Sequence, residues 1–450
     1  MSKEVWILSI VFLDKPAGGI LNKSWNKLDN AAILFSAATH KAETQVFRFS
    51  CELKEPVDKY LLQKALDRTI ADFEAYRYVM KRGFFWYYLE ETEMRPEVKE
   101  EYKPVCGQLY RTNKRMLLFE VTYYRTIINI EVFHVLSDGA GAIKFFEALV
   151  INYLGIKMGL GEDEIRSHIK FEASKRQMRD DSFTRFSTGH KLKLNKNPKA
   201  LQLRGFRYSQ NRLKLIRAHV STGQIVAKAR KYNATVTAFL CGCLMKAISE
   251  EIPPRRKKRP IVMGVPVNLR NYFESASIRN FFNVVLVPYG FTDSDPSLED
   301  FIRFANNCLK EKTTPQNLFN SMNNYVAIER NIAVKLVPLI IKDIVLKYAY
   351  LISQRSSTAI LSNVGAIAMP DIMAERINAF DVCVSTNKMQ LCVMSFRDVM
   401  SIGITTPFIN PEIQRRFFKH LTDHGIQVEI SSNMVERSVK SDETLQPLQG

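Results

Sequence analysis

The chain has 450 residues, 46% of them hydrophobic, 11% aromatic and 24% charged, a balance that excludes a disordered or collagen-like protein and supplies apolar surface for a sizeable core. Single cores stop growing near about 250–300 residues, so two lobes are expected. The formal charge of +18 favours an anionic partner but does not choose among nucleic acid, lipid, a phosphate-bearing cofactor and an acidic protein.

The longest early apolar run, residues 5–13, is about half of the ~20 residues that cross a bilayer and has no clear small-residue cleavage site behind it. It reads as a buried strand of a cytoplasmic protein. Residues 42–52 partly alternate in polarity and predict a strand, and Pro56 opens a helix running to about residue 70. Three stretches rich in aromatic and β-branched residues, 83–89, 116–124 and 126–134, are expected to be neighbouring strands of one sheet. The last ends at His134; a tight turn carries Asp138 and Gly139, and a helix follows over 143–154.

Residues 161–212 are charged, lack periodic apolar signal and read as the connection between lobes. A second cycle then begins with a strand near 213–220, a helix opened by Ser221-Thr-Gly-Gln224 as a capping box, and a long apolar helix over 236–248. The basic run in 251–260 reads as a solvated loop before a strand at 261–267. The most apolar long segment is 328–353, where Pro338, Lys342, Asp343 and Lys347 argue against a membrane span. It reads as an amphipathic helix that covers the core or acts as a lid, with an interfacial lipid-bound helix as the other reading. Strands are expected at 358–363, 381–396 and 399–406, then a helix over 411–424, a last strand at 426–430 and a polar tail from 435.

The cysteines at 51, 106, 241, 243, 308, 383 and 392 are odd in number and sit mostly in apolar runs, as reduced core thiols do. Cys241 and Cys243 have the wrong spacing for a zinc knuckle, and no metal is expected. Of the seven histidines (40, 134, 168, 190, 219, 420 and 424), only His134 combines an apolar strand end with a glycine-bearing turn and a nearby acid. An imidazole held by packing, with an unperturbed pKa of about 6.5, suits a general base. The spacing by itself also fits a core histidine bonded to a backbone carbonyl.

Phe133-His134-Val-Leu-Ser-Asp138-Gly139 resembles the H-x-x-x-D-G signature of the chloramphenicol-acetyltransferase-like superfamily, whose members include alcohol O-acetyltransferases, wax ester synthases, plant BAHD acyltransferases and peptide-synthetase condensation domains. Val265-Pro-Val-Asn-Leu-Arg270 and Leu361-Ser-Asn-Val-Gly365 resemble further segments of that superfamily, in the expected order, and the alcohol O-acetyltransferases are the nearest in pattern. Two features depart from it. Phe133 stands where many relatives carry a first histidine, and the D-F-G-W-G segment of the plant enzymes has no counterpart.

The resemblance implies an α/β fold of two lobes with mixed sheets flanked by helices and a tunnel at their interface. The first lobe would span 1–200 with the motif and the second 201–450. It further implies direct acyl transfer, with acetyl as the first candidate, from acyl-coenzyme A to an alcohol or amine. His134 would take the acceptor's proton and return it to the departing thiolate. Ser362 and Asn363 are candidate oxyanion donors with Asn268 behind them, although Ser-Asn-x-Gly is also an ordinary turn sequence. Asp138 would hold Arg270 rather than orient His134, and Gly139 belongs to the motif as a turn residue.

No glycine-rich phosphate loop is present, so coenzyme A is expected as a substrate held by scattered basic residues and backbone donors, with no tightly bound cofactor. Competing readings are a donor carried by an acidic carrier protein, a non-catalytic relative that binds an acyl or hydrophobic ligand, and a nucleic-acid binder, the last disfavoured for want of a recognition motif. A monomer is expected, with peripheral membrane contact left open.

Overall fold

The structure is a computed structural model and describes residues 25–39, 43–111, 114–169, 182–186, 199–209, 212–291, 295–330 and 337–433. The expected strand at 5–13 and the polar tail lie outside these residues, as do parts of the predicted connection over 161–212.

In the first lobe the order is β1 (Trp25–Lys27), α1 (Asn30–Ala38), β2 (Val46–Leu53), α2 (Lys59–Asp72), β3 (Tyr78–Arg82), β4 (Tyr87–Glu91), β5 (Lys99–Glu100), β6 (Phe119–Tyr124), β7 (Ile127–Phe133), α3 (Gly139–Lys157) and α4 (Glu162–His168). The second half supplies β8 (Lys214–Ser221), α5 (Thr222–Lys231), α6 (Val236–Glu251), β9 (Ile261–Asn268), β10 (Phe282–Tyr289), α7 (Leu298–Lys312), α8 (Pro315–Arg330), α9 (Leu339–Gln354), β11 (Ala359–Ile367), β12 (Ile377–Val384), β13 (Met389–Phe396), β14 (Val399–Thr406), α10 (Glu412–Asp423) and β15 (Glu429–Ser432).

Strand β7 runs between β2 and β6 in a five-stranded sheet of order β12-β2-β7-β6-β5. Its sequence alternates because its two faces meet different partners. Ile128, Ile130 and Val132 are fully buried in the lobe's core, whereas Asn129 and Glu131 face polar residues of β2. Ser50 Oγ donates to Asn129 Oδ1 at 2.6 Å, and Arg48 pairs with Glu131 at 2.8 Å. Helix α3 packs on the sheet with Phe145, Phe146 and Leu149 fully buried. It is long and apolar enough to cross a bilayer, but most of it lies inside the lobe.

The aromatic stretch at 83–89 does not join this sheet, contrary to the expectation. It forms the turn and the second strand of the β3–β4 hairpin, which pairs with β1 in a separate three-stranded sheet. Aromatic content made it a strand; the tight return at Gly83, whose N–H donates to Trp86 O at 2.8 Å, chose its partner.

The second sheet has seven strands in the order β10-β9-β11-β13-β14-β8-β15. One face carries Leu361, Leu391, Ile402 and Ile404 into a core shared with α6 and α7. From the other face, Leu215, Cys392, Met394 and Phe396 join the first lobe's core. Strand β12, from the second half of the chain, crosses over and completes the first sheet by pairing antiparallel with β2. Its Asp381 is buried and ties the two sheets together, accepting from Ser401 Oγ at 2.7 Å and lying 3.0 Å from His219 Nε2 and 3.2 Å from Arg217 Nη1. That contact with Asp381 raises the His219 pKa against the opposing effect of burial.

Six of the seven cysteines are buried and Cys308 is half-buried. Helix α9 is amphipathic as expected, but it is not a core helix: Ile340, Ile344 and Tyr348 are 67%, 66% and 68% exposed. The periodicity identified a stripe, and the fold turns that stripe outward.

Candidate active site

His134 follows the last residue of β7, its N–H donating to Gln45 O at 2.9 Å. The ring packs against Phe35 at 4.5 Å, Phe47 at 4.9 Å and Phe282 at 5.8 Å between centroids. Its Nδ1 lies 3.1 Å from Asn280 Oδ1, across the junction between the two lobes.

The orientation of Asn280 decides the tautomer. Its Nδ2 lies 3.3 and 3.2 Å from the two carboxylate oxygens of Asp29 and 3.0 Å from His134 O. All of these are acceptors, so that nitrogen must be the amide donor and Oδ1 must accept. Nδ1 of His134 therefore carries the hydrogen, which leaves the Nε2 lone pair available for a proton. Burial among the aromatic rings lowers the imidazole pKa from 6.5, partly offset by Asp138 and by the Asn280 hydrogen bond. The ring is therefore neutral, in the base form, at pH 7.

Asp138 caps α3, with Oδ1 accepting from Gly141 N at 2.8 Å. Its Oδ2 accepts from Phe281 N at 2.8 Å and from Arg270 Nη1 at 2.8 Å. Arg270 directs three further donors to its own loop, reaching Ser277 O from Nε at 3.0 Å, Asn268 Oδ1 from Nη1 at 3.2 Å, and Arg279 O from Nη2. Asn268 also caps the following turn by accepting from Arg270 N at 3.1 Å. The Asp138–Arg270 pair is thus a clamp that fastens the 268–281 loop of the second lobe to the first turn of α3. The carboxylate is used up by this clamp and makes no hydrogen bond to His134.

Gly139, the motif glycine, has no steric need among the described residues: an added Cβ would meet only Phe49 Cζ there, at 3.8 Å. That need falls two residues later. A Cβ on Gly141 would come 2.1 Å from Ile278 O and 2.4 Å from Ser137 Oγ, driving α3 and the clamp loop apart. Gly141→Ala should therefore cost about 1–3 kcal/mol of stability while Gly139→Ala leaves it nearly unchanged; thermal unfolding of the two variants checks this.

Ser362 and Asn363 lie on β11, and no hydrogen bond joins either to His134 among the described residues. They face opposite ways. Ser362 pairs in register with Cys392, on the face turned toward the first lobe. Asn363 is in register with Val393 of the second lobe's core and donates its amide to Thr237 Oγ1 at 3.1 Å. Asn363 Oδ1 also accepts from Gly365 N at 3.0 Å across a bulge, where Gly365 has φ +97°. That left-handed backbone accounts for the glycine. Phe133, in the first histidine position of many relatives, is fully buried and stacks on Tyr110 at 5.6 Å, so its role here is packing.

The sequence reading missed Asn280 and Asp29. An Asn-Phe-Phe tripeptide before a strand carries no chemical signature, and Asp29 looks like the helix cap it also is, accepting from Ala32 N at 2.7 Å.

By sequence, no family model and no curated protein matches the chain; by structure, matches span nearly its whole length. The TRI3 trichothecene 15-O-acetyltransferase from Fusarium sporotrichioides is 12% identical, with a TM-score of 0.58 over 91% of this chain and 96% of that one. TRI101 from F. graminearum, solved with coenzyme A and T-2 mycotoxin, is 10% identical, with a TM-score of 0.61 over 90% and 99%. The condensation domain of the Monacolin K polyketide synthase MokA is 10% identical, with a TM-score of 0.56 over 89% and 96%. The chain has the two-lobed α/β fold of the chloramphenicol-acetyltransferase-like and condensation-domain proteins.

Proposed function

We propose that this protein is an acyltransferase that moves an acyl group, acetyl first among the candidates, from acyl-coenzyme A to the hydroxyl of an alcohol acceptor. The observation that carries this reading is the fixed state of His134: Asn280 holds the hydrogen on Nδ1, burial keeps the ring neutral, and Nε2 is left to accept a proton. In the direct transfer we propose, Nε2 removes the acceptor's proton as its oxygen attacks the thioester carbonyl. The imidazolium then returns that proton to the departing thiolate, so the protein ends each cycle unchanged. The known structures support the choice of donor and acceptor, since the two TRI101 enzymes were solved with coenzyme A and T-2 mycotoxin or deoxynivalenol.

For the developing oxyanion we assign the Ser362 hydroxyl, because its register turns it toward the first lobe whereas the Asn363 amide is spent on Thr237. A donor of this kind is worth about 10²–10³ in rate. Asn268, occupied in the clamp, supports the loop. We also place the two substrates at opposite mouths of a tunnel between the lobes.

The test is thiol release by the purified protein from acetyl-, butyryl- and palmitoyl-coenzyme A with a panel of alcohols and amines. Release that requires an acceptor supports the reading. Release from none of the donors, or turnover only with an acylated carrier protein, would sink the coenzyme A assignment. Asn280→Leu should lower kcat about tenfold or more, a part of the ~10²–10⁴ that general-base catalysis contributes, with little change in KM. An unchanged kcat would remove Asn280 from the account.

A further inference from the structure

Helix α9 turns most of its apolar side chains outward. Leu339 is buried and Leu346 half-buried on the inward face, where polar side chains share the contact: Lys342 Nζ donates to Phe85 O at 3.1 Å and lies 3.8 Å from the Trp86 ring centroid. Asp343 accepts from Tyr87 Oη at 2.9 Å and pairs with Arg82 at 3.4 Å. Tyr350, buried, donates to Glu43 Oε1 and accepts from Gln45 Nε2 at 2.9 Å. Outward point Ile340, Ile341, Ile344, Val345, Tyr348 and Leu351, all between 49% and 68% exposed. Their spacing makes one continuous stripe along the helix. Phe84, 66% exposed, lies at the stripe's N-terminal end, where its carbonyl accepts from Leu339 N at 2.9 Å. Scattered exposed apolar residues need no explanation, but a contiguous stripe of aliphatics marks a surface that is covered in use.

We infer that this face of α9 docks on an anionic lipid surface. Charge favours lipid over a second copy of the chain. Two molecules of formal charge +18 repel, whereas a bilayer containing anionic lipid attracts them. The helix itself adds Lys347 on its exposed side, and its one acid, Asp343, is turned inward to Tyr87 and Arg82. Aliphatic residues bordered by Tyr348 and Phe84 match the pattern of a helix lying in the headgroup region, apolar face down.

The docked helix is directly wired to the site. Tyr350 holds Gln45, whose carbonyl accepts the His134 N–H. Resting on the acyl-transfer reading, a helix docked on lipid and joined to the His134 strand end in this way favours an apolar alcohol that partitions into lipid as the acceptor.

Vesicle binding needs no turnover, so its outcome is independent of whether acyl transfer is found. The full chain would be sedimented with phosphatidylcholine vesicles, with and without phosphatidylserine, alongside an Ile344→Glu/Tyr348→Glu variant. The wild type should co-sediment with the anionic vesicles and more weakly with the neutral ones. The variant should bind at least about tenfold less, the equivalent of losing roughly one buried side chain, at an unchanged melting temperature. Three results would overturn the inference. One is no binding of the wild type to either vesicle. Another is equal binding by the variant. The last is a wild-type dimer that the variant converts to monomer, or a variant of lowered melting temperature, without any vesicle binding; the stripe would then be covered by protein.

Discussion

Replacing His134 by alanine should slow acyl transfer by about 10²–10⁴, the range that a positioned general base contributes. The substitution also has a structural cost that must be separated from the chemical one. It opens space among Phe35, Phe47 and Phe282 and leaves Asn280 Oδ1 without the ring N–H. An unsatisfied buried acceptor costs about 1–3 kcal/mol, so the comparison is meaningful only on protein shown to be folded, by its melting temperature and near-ultraviolet dichroism. His134→Asn serves as a second variant, since its amide can still donate to Asn280 but has no basic lone pair near neutral pH. Both variants should lose the same large factor. A His134→Asn protein with wild-type turnover would show that the imidazole is held for packing.

Breaking the clamp should have the largest effect on stability. Arg270 and Asp138 have side chains only 8% and 6% exposed, and removing one partner of such a pair strands the other in a poorly solvated site. Arg270→Gln and Asp138→Asn should each destabilise the protein by about 3–5 kcal/mol. Because Asp138 also accepts from Gly141 N and Phe281 N, its loss loosens the start of α3 and the approach to β10 together. Chemical denaturation of the two single variants and the double variant would measure this. The double variant should lose less than the sum, since neither charge is then stranded. Full stability in both singles would contradict the clamp.

Much of this was readable from the chain. The apolar strand running into His134, the turn at Asp138 and the long apolar helix behind it each follow from local composition, and three short motifs in order pointed to the fold. The rest depended on contacts that no local pattern encodes. Asn280 reaches His134 across 146 residues and Asp29 across 251, and neither belongs to a motif. Strand β12 leaves its own half of the chain to pair with β2, although its sequence is as apolar as that of the strands that stay. Aromatic content identified β4 as a strand but could not choose its sheet. For α9, spacing shows which residues share a face, but only the neighbours decide which face is buried. Here Tyr87 and Arg82 hold Asp343 against the protein and Glu43 holds Tyr350.

Whether a neutral His134 is the base of an acyl transfer is decided by the pH dependence of acceptor-dependent thiol release from acetyl-coenzyme A, in the wild type and in folded His134→Ala. Burial lowers the His134 pKa from 6.5, so the active neutral form persists through neutrality and is lost only on acidification. The same shift means that the folded state binds fewer protons than the unfolded one just below pH 6.5, so stability falls with the rate as the pH drops through the folded pKa. The wild-type rate should be level above pH 7 and decline with a midpoint below 6.5, and the variant should show a small residual rate without that limb. No acceptor-dependent release at any pH, or a variant that keeps both the rate and its acidic limb, would contradict that role for His134.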